Sequence, residues 1–555
     1  MKKIRIYSMF KFGLITILVL SMLAACSKAE TPGTNTPAQN PGTSSTTPDQ
    51  TDGTADGGMT NLEGYPITKE PITIKAVVSY SALRPEMDTT EVWKYIAEKT
   101  NINVEVEVLK DSEKVDLMFA SNDYPDILLA VGINANQMTS AVEGDQFVEM
   151  KPLIEQYAPT WNRFMEENKL VYNGSLASNG KLYGLPFIDF APFVRNLRDQ
   201  WIMMDSWLNE LQIPIPKTTE EFKNALIAIK ENAGKGSIPS DVIPYYFMFD
   251  RYVGGQFDIY GSFGVYITHG DYLYVDNGVV KDQSTNPAIK EPLKYLRELY
   301  SAGVIPPEVF TDDFNTYAAK ISSLPPVVGS YHSYENRQPE LGTSMGPLDS
   351  GNGQKPLIRS QAYIAGPANA AIITKNNKYP VATARLLEAI ASDIELGMTI
   401  SRGIQGVTWD FDSEGKAYQL FWEESPDKMT EHSGQLGLHN SIVALRDQDF
   451  YENKWKELTY DVKNNRAWAY ENVYKDVVMP NDMVLVEGAL DADDVSMMKQ
   501  YQADLTNYRK AMFADFITGK QDIDAQWDAY VKQMNNLGLE KFVGLKQKGY
   551  DVIAK

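Results

Sequence analysis

Ile102-Asn103-Val104-Glu105-Val106-Glu107-Val108 alternates branched apolar residues with polar ones without a break. That period of two is the signature of a strand with one buried face. Upstream, Val92, Trp93, Ile96 and Ala97 recur at helical spacing, and before them Ile72-Thr73-Ile74-Lys75-Ala76-Val77-Val78 reads as another strand. Downstream, a helical pattern around Val115 to Ala120 runs into the turn Ser121-Asn122-Asp123-Tyr124-Pro125, then the apolar run Asp126-Ile127-Leu128-Leu129-Ala130-Val131. Strand, helix, strand, helix, strand implies an α/β fold with a parallel sheet and crossover helices. Ligands of such sheets sit beyond the carboxyl ends of the strands. The loops starting at Ser79-Tyr80 and at Val131 are therefore the first places to look for a site.

The chain opens with Lys2, Lys3 and Arg5, followed by an almost wholly apolar stretch from Leu14 to Ala25. A basic start, a short apolar middle and a small-residue end form a secretory signal, too short and too early for a membrane span. It closes on Leu23-Ala24-Ala25-Cys26, and Cys26 is the only cysteine in 555 residues. One thiol makes no internal disulfide. The tetrapeptide resembles the bacterial lipobox, which implies that residues 1–25 are removed and Cys26 is lipidated. Two acyl chains on that residue would hold the protein at the extracellular face of the cell membrane. From Ser27 to Met59 the composition collapses to Thr, Pro, Gly, Ser, Asn and Asp. It cannot bury enough surface to offset its ordering entropy, so residues 26–64 are expected to form a lipidated, flexible tether.

The rest has the composition of a globular body, with 43% apolar and 11% aromatic residues, and its length suits two or three domains. A net charge of −21 repels phosphate backbones and anionic lipid surfaces, which excludes nucleic acid and leaves the lipid as the only membrane contact. The four histidines, His269, His332, His432 and His439, show no zinc spacing. No metal and no other cofactor is expected.

Further landmarks follow in order. Gly180-Lys181-Leu182-Tyr183-Gly184-Leu185-Pro186 reads as a turn and short strand, leading into the aromatic stretch Phe187 to Phe193. Asp205 to Leu211 reads as a short helix, and Thr218-x-x-Glu221 as a capping box opening a helix with Phe222, Leu226 and Ile229 on one face. Met204-Asp205-Ser206-Trp207-Leu208 with Pro216 and Thr218 to Phe222 resembles the R-x-D-W-L…P-x-T-x-x-E-F segment of extracellular solute-binding proteins of carbohydrate ABC importers. The likeness is to their long lipoprotein branch in Firmicutes. Leu117 to Ile127, Gly180 to Pro186, Lys378-Tyr379-Pro380 with Arg385-Leu386-Leu387, Gly403 to Trp409, and Phe516-Ile517-Thr518-Gly519 with Trp527 to Leu539 resemble its other motifs in the same order.

The resemblance implies a type II periplasmic-binding-protein fold: two α/β lobes, a hinge and an interlobe ligand cleft. Lobe one is drawn from 70–189 plus 360–465, and lobe two from 190–359 plus 466–555. It implies a monomeric, non-enzymatic receptor that closes on a sugar and delivers it to ABC transporter permease subunits. Sugar sites pair aromatic faces with planar polar groups. Counting from strand ends and landmarks, the candidates are Tyr80, Arg84, Asp123, Asp189, Phe190, Asp250, Tyr252, Tyr331, His332 and Trp409. Each has a structural reading as well: Asp123 as a turn cap before Pro125, His332 as a satisfied core imidazole, Asp189 and Asp250 as partners of arginines such as Arg195. Trp207 is assigned to the core. Many relatives carry a calcium loop, D-P-N-G-N-G-x-x-D-E-I-P, where this chain has Glu231-Asn232-Ala233-Gly234-Lys235-Gly236-Ser237-Ile238-Pro239. Most of the carboxylates a hard cation needs are missing, so no calcium is expected there. A peptide-binding or scaffolding lipoprotein and a surface carbohydrate-active enzyme remain open as alternatives. The enzyme would need a pair of carboxylates across a scissile bond, for which no motif is organised.

Overall fold

Two separate mixed sheets carry the fold. The computed structural model describes residues 58–79, 90–109, 112–360, 369–420, 445–456 and 463–554. The signal and lipidation assignments at 1–25 and Cys26 lie outside them, as do Tyr80 and Arg84; of the expected tether 26–64, residues 58–64 are instead held on the folded body, with Thr60 bridging Thr68 and the Asn61 amide donating to the Ile67 carbonyl.

The first sheet has β1 (Ile72–Ser79), β2 (Ile102–Leu109), β3 (Ile127–Leu129), β4 (Gly184–Leu185) and β12 (Ala371–Ile373) in the order β2-β1-β3-β12-β4. β1 runs parallel to β2, with Ile74 opposite Val104, and parallel to β3. β2 is an edge strand, buried at Ile102 and Val104 and exposed at Asn103 and Glu105. Its alternation in the sequence therefore reports a half-covered face. The sheet is not purely parallel as expected, because β12 enters antiparallel between β3 and β4. Its three apolar residues carry no periodicity of their own, and the strand arrives only after the chain has built the other sheet.

That other sheet has β6 (Gln200–Met203), β7 (Ile243–Tyr246), β10 (Val328–Ser333) and β11 (Thr343–Met345) in the order β11-β6-β10-β7. β10 is parallel to β7 and antiparallel to β6. Helix Thr219–Glu231 packs on β7; Thr218 accepts from the Glu221 amide while Glu221 accepts from the Thr218 amide, the capping box read in the sequence. Trp207 is buried in the same core, and the C-terminal helices Ala492–Thr518, Ile523–Asn536 and Leu539–Ala554 contribute Phe513, Tyr530 and Phe542 to it.

The chain passes between the sheets three times. The first crossing follows β5 (Ile188–Asp189), the second joins β11 to β12, and the third follows β15 (Leu445–Arg446). β5 and β15 pair in parallel, so the first and third crossings leave lobe one side by side. The second is held in lobe two by Arg359. Its guanidinium donates to Asp258 at 2.9 and 3.0 Å and to Asp199 at 3.1 Å, and all three side chains are fully buried. A further N–H reaches the carbonyl of Tyr252.

Removing one partner of a buried ion cluster leaves charge uncompensated. Arg359→Met is expected to cost on the order of 3–5 kcal/mol in urea unfolding. Burial pushes the Asp258 carboxyl up, but the Arg359 charge and the Arg359 and His332 hydrogen bonds outweigh it and hold the group well below the usual carboxylate range. A carboxylate held low in the native state contributes stability at pH values above its unfolded pKa, and that contribution is lost as pH falls toward the native value. The melting temperature should thus decline as pH drops below about 4, and Arg359→Met should flatten the decline.

Candidate functional site

The carboxyl ends of β1, β2 and β3 and the loops beyond β7 and β10 define the edges where a ligand would sit. The interlobe crossings form the floor between them. Phe190 leaves β5 at the head of the first crossing; it is half-buried, lies 5.8 Å from Phe164, and carries the Arg195 guanidinium 4.7 Å from its ring centroid. Arg195 sits on the short helix Pro192–Asn196, which Pro192 opens. In lobe two, Tyr334 is the first residue beyond β10 and is 37% exposed. Arg466, on the third crossing, stacks on it at 3.4 Å and donates to the Leu197 carbonyl. Trp468 and Tyr470 follow half-buried, and the Tyr470 hydroxyl accepts from Asn196.

Asp189 lies in this floor, but its carboxylate is occupied. Arg446 donates at 3.4 Å, the Tyr451 hydroxyl at 2.5 Å and the Ala191 amide at 3.2 Å. Its role is to join the first and third crossings. Tyr252, beyond β7, is half-buried between Arg359 at 5.1 Å and Arg198 at 5.9 Å, and its hydroxyl donates to the Thr268 carbonyl at 2.8 Å. Burial raises that phenol to about 12, with both arginines opposing.

Five candidates fall elsewhere. Asp123 is exposed in the turn before β3, at the opposite end of the sheet from the ligand edge. Asp250 turns its buried carboxylate to Arg509 of helix Ala492–Thr518 at 3.3 Å. Tyr331 is fully buried, donates to Asn336 at 3.0 Å and accepts from the Arg337 amide. His332 is fully buried between the Tyr245 hydroxyl at 2.8 Å and Asp258 at 3.2 Å. Trp409 is fully buried in the hairpin of β13 (Trp409–Phe411) and β14 (Ala417–Gln419), with its indole N–H on the Gly403 carbonyl at 2.8 Å. For the last three the cause is the same: the side chains are fully buried and face partners inside a core. β10 is covered on both faces, so its aromatics read like a platform in sequence while the first accessible ring is Tyr334. The strand reads Val328-Gly329-Ser330-Tyr331-His332-Ser333, so its burial on both faces is not marked by an apolar run in the sequence. Arg198, Arg466 and Trp468 carry no comparable signal.

The calcium loop implied by the resemblance maps to 231–239, and the residues do not fit a cation. The Lys235 ammonium donates to the Glu231 carbonyl at 3.2 Å and to Asn232 at 3.1 Å. Glu210 is spent on the Ser237 amide and hydroxyl, and Gly236 at φ +56° lets that carboxylate approach where a Cβ would collide with it. Among the described residues no group of three or more His, Cys, Asp or Glu could hold a metal ion. A cavity bordered by Asp393, Met398, Arg446 and Lys454 lies beside helices Pro380–Ser392 and Ile394–Arg402.

This architecture is that of ABC-transporter solute-binding proteins. A crystallised extracellular solute-binding protein from Bifidobacterium longum subsp. infantis superposes with a TM-score of 0.73 at 19% identity, over 88% of this chain and 99% of that one. The chain is a homologue of the fructooligosaccharide ABC transporter substrate-binding protein FusA of Streptococcus pneumoniae, 25% identical over 525 residues, 88% of this chain and 92% of FusA. FusA in complex with kestose superposes with a TM-score of 0.73 at 21% identity, over 86% of this chain and 99% of that one. Lipoprotein LipO of Bacillus subtilis is 23% identical over 238 residues, 42% of this chain and 45% of LipO. No protein-family model matches the chain.

Two outcomes are expected. Tyr331→Ala should remove a core ring and cost on the order of 3 kcal/mol in denaturant unfolding, with folded protein keeping its affinity for ligand. Calcium in place of EDTA should move the melting temperature by less than about 1 °C, whereas an occupied site would raise it by several degrees.

Proposed function

We propose that this protein is an extracellular lipoprotein that binds an oligosaccharide between its lobes and delivers it to the permease subunits of an ABC transporter. The observation that carries the reading is the pair of sheets joined by three crossings, on a chain homologous to FusA through most of its length. The anchoring part rests on Leu23-Ala24-Ala25-Cys26 and on the similarity to LipO. Among the described residues no helix is long and apolar enough to cross a membrane. The proposed lobes are 70–189 plus 360–465 and 190–359 plus 466–555, acting as a monomer with no catalytic step.

Function in such a molecule is a shift in population. A sugar touching both lobes binds the closed form better than the open one and draws the hinge shut by that difference in affinity. The rims already meet: helix Ala492–Thr518 packs against helix Ala135–Glu143, and the Ile553 carbonyl accepts from Asn173 at 3.3 Å. Opening must part or slide these contacts. Phe190 and Tyr334 are the aromatic faces for the sugar rings; Tyr80 and Arg84, which follow β1 in the sequence, complete the proposed set.

Titration with oligosaccharides should quench tryptophan fluorescence saturably, lower the radius of gyration in solution scattering, and release no product. Tyr334→Ala should weaken binding about tenfold, or about 1.4 kcal/mol, without changing the melting temperature. Turnover of the sugar, or a scattering profile that no ligand alters, would overturn the proposal.

A further inference from the structure

The floor between the lobes gathers five arginines in a chain of net charge −21. Arg195 and Arg198 lie on the first crossing, Arg359 on the second, Arg446 and Arg466 on the third. Arg359 is neutralised within the protein by Asp258 and Asp199, Arg446 by Asp189, and Arg466 is buried against the Tyr334 ring. Arg195 is different. It is half-buried, its guanidinium lies against the Phe190 ring, and among the described residues no carboxylate pairs with it. Among the described residues the one carboxylate beside Arg198 is Asp199 at 3.4 Å, whose other oxygen already serves Arg359 and the Gly254 amide.

A guanidinium packed on an aromatic ring spends no N–H group on that contact, and its planar fork matches a carboxylate in a bidentate pair. The ring also fixes the guanidinium, so little rotamer entropy remains to be lost on binding. A neutral sugar is a poor occupant for such a floor. Closing the lobes over it would strip water from Arg195 without supplying a counter-charge, and a desolvated unpaired cation is costly. A sugar acid removes that cost with the same contact that orients it.

Resting on the oligosaccharide-binding reading above, we propose that the ligand is an acidic oligosaccharide, with a uronate carboxylate seated on Arg195 and Arg198 as the second cation. The specificity of this chain then differs in charge from a receptor of neutral fructooligosaccharides, while the lobes and hinge are shared.

The test is calorimetric titration of the full folded chain with two sets of trimers. The acidic set comprises oligogalacturonate, oligomannuronate and glucuronic-acid-bearing xylan fragments; the neutral set comprises kestose, maltotriose and xylotriose. An acidic member should bind, with affinity falling as sodium chloride is raised, and every neutral member should bind at least about tenfold more weakly. Arg195→Gln should reduce acidic-sugar affinity at least about tenfold and flatten its salt dependence, and Arg195→Lys should restore only part of it, because an ammonium offers no planar fork. Circular dichroism and the melting temperature of each variant separate loss of binding from loss of fold. Binding confined to neutral sugars, or acidic-sugar binding untouched by Arg195→Gln, overturns the charge assignment and leaves the oligosaccharide reading standing. Binding of no sugar in either set overturns that reading itself.

Discussion

Arg359 is the point on which the lobe arrangement depends. It stands on the crossing that returns the chain from lobe two to lobe one, and its partners come from separate places: Asp199 from the first crossing and Asp258 from helix Phe257–Ser262. His332 of β10 joins through Asp258, and the Tyr252 ring covers the guanidinium. Burying these charges is unfavourable unless every partner is in place. The cluster therefore ties two of the three interlobe connections to one rigid body. Such an arrangement contributes less to net stability than to fixing where the lobe ends and bending begins.

The third connection is fixed from the other side. β15 pairs with β5, and Asp189 gathers Arg446, the Tyr451 hydroxyl and the Ala191 amide. Crossings one and three thus emerge from lobe one as a stapled pair, while crossings one and two enter lobe two through Arg359. The first crossing is common to both clusters. Phe190, Arg195 and Arg198 lie on it, so the residues proposed to meet a ligand are also those between the two anchors.

Much of this was legible in the residues. The alternation of 102–108 marked an edge strand, Thr218 with Glu221 marked a helix start, and Trp207 was assigned to the core it occupies. β12 was not legible, because three apolar residues become a central strand only through partners distant in sequence. The site was read less well than the fold. Sequence pattern marks aromatic and charged residues near strand ends but not which of them lie one residue too early. Tyr331 and His332 fall inside a strand buried on both faces, and Tyr334 just beyond it. Asp189 and Asp250 have the right chemistry for a sugar hydroxyl, yet each is taken by an arginine far away in the chain. Whether a carboxylate is free is a three-dimensional property.

The segment before β1 is seated as firmly as any strand. Ile67 is fully buried in lobe one and its amide donates to the Thr100 carbonyl; the Tyr65 hydroxyl donates to Asp393, and Arg385 holds the carbonyls of Asn61 and Gly64. All of these contacts lie at the starting ends of the strands, away from the ligand edge. A mechanical load entering the chain at residue 58 would be borne by lobe one alone and would reach neither hinge nor floor. Under the proposed anchoring at Cys26, a pull from the membrane would then leave lobe two free to swing.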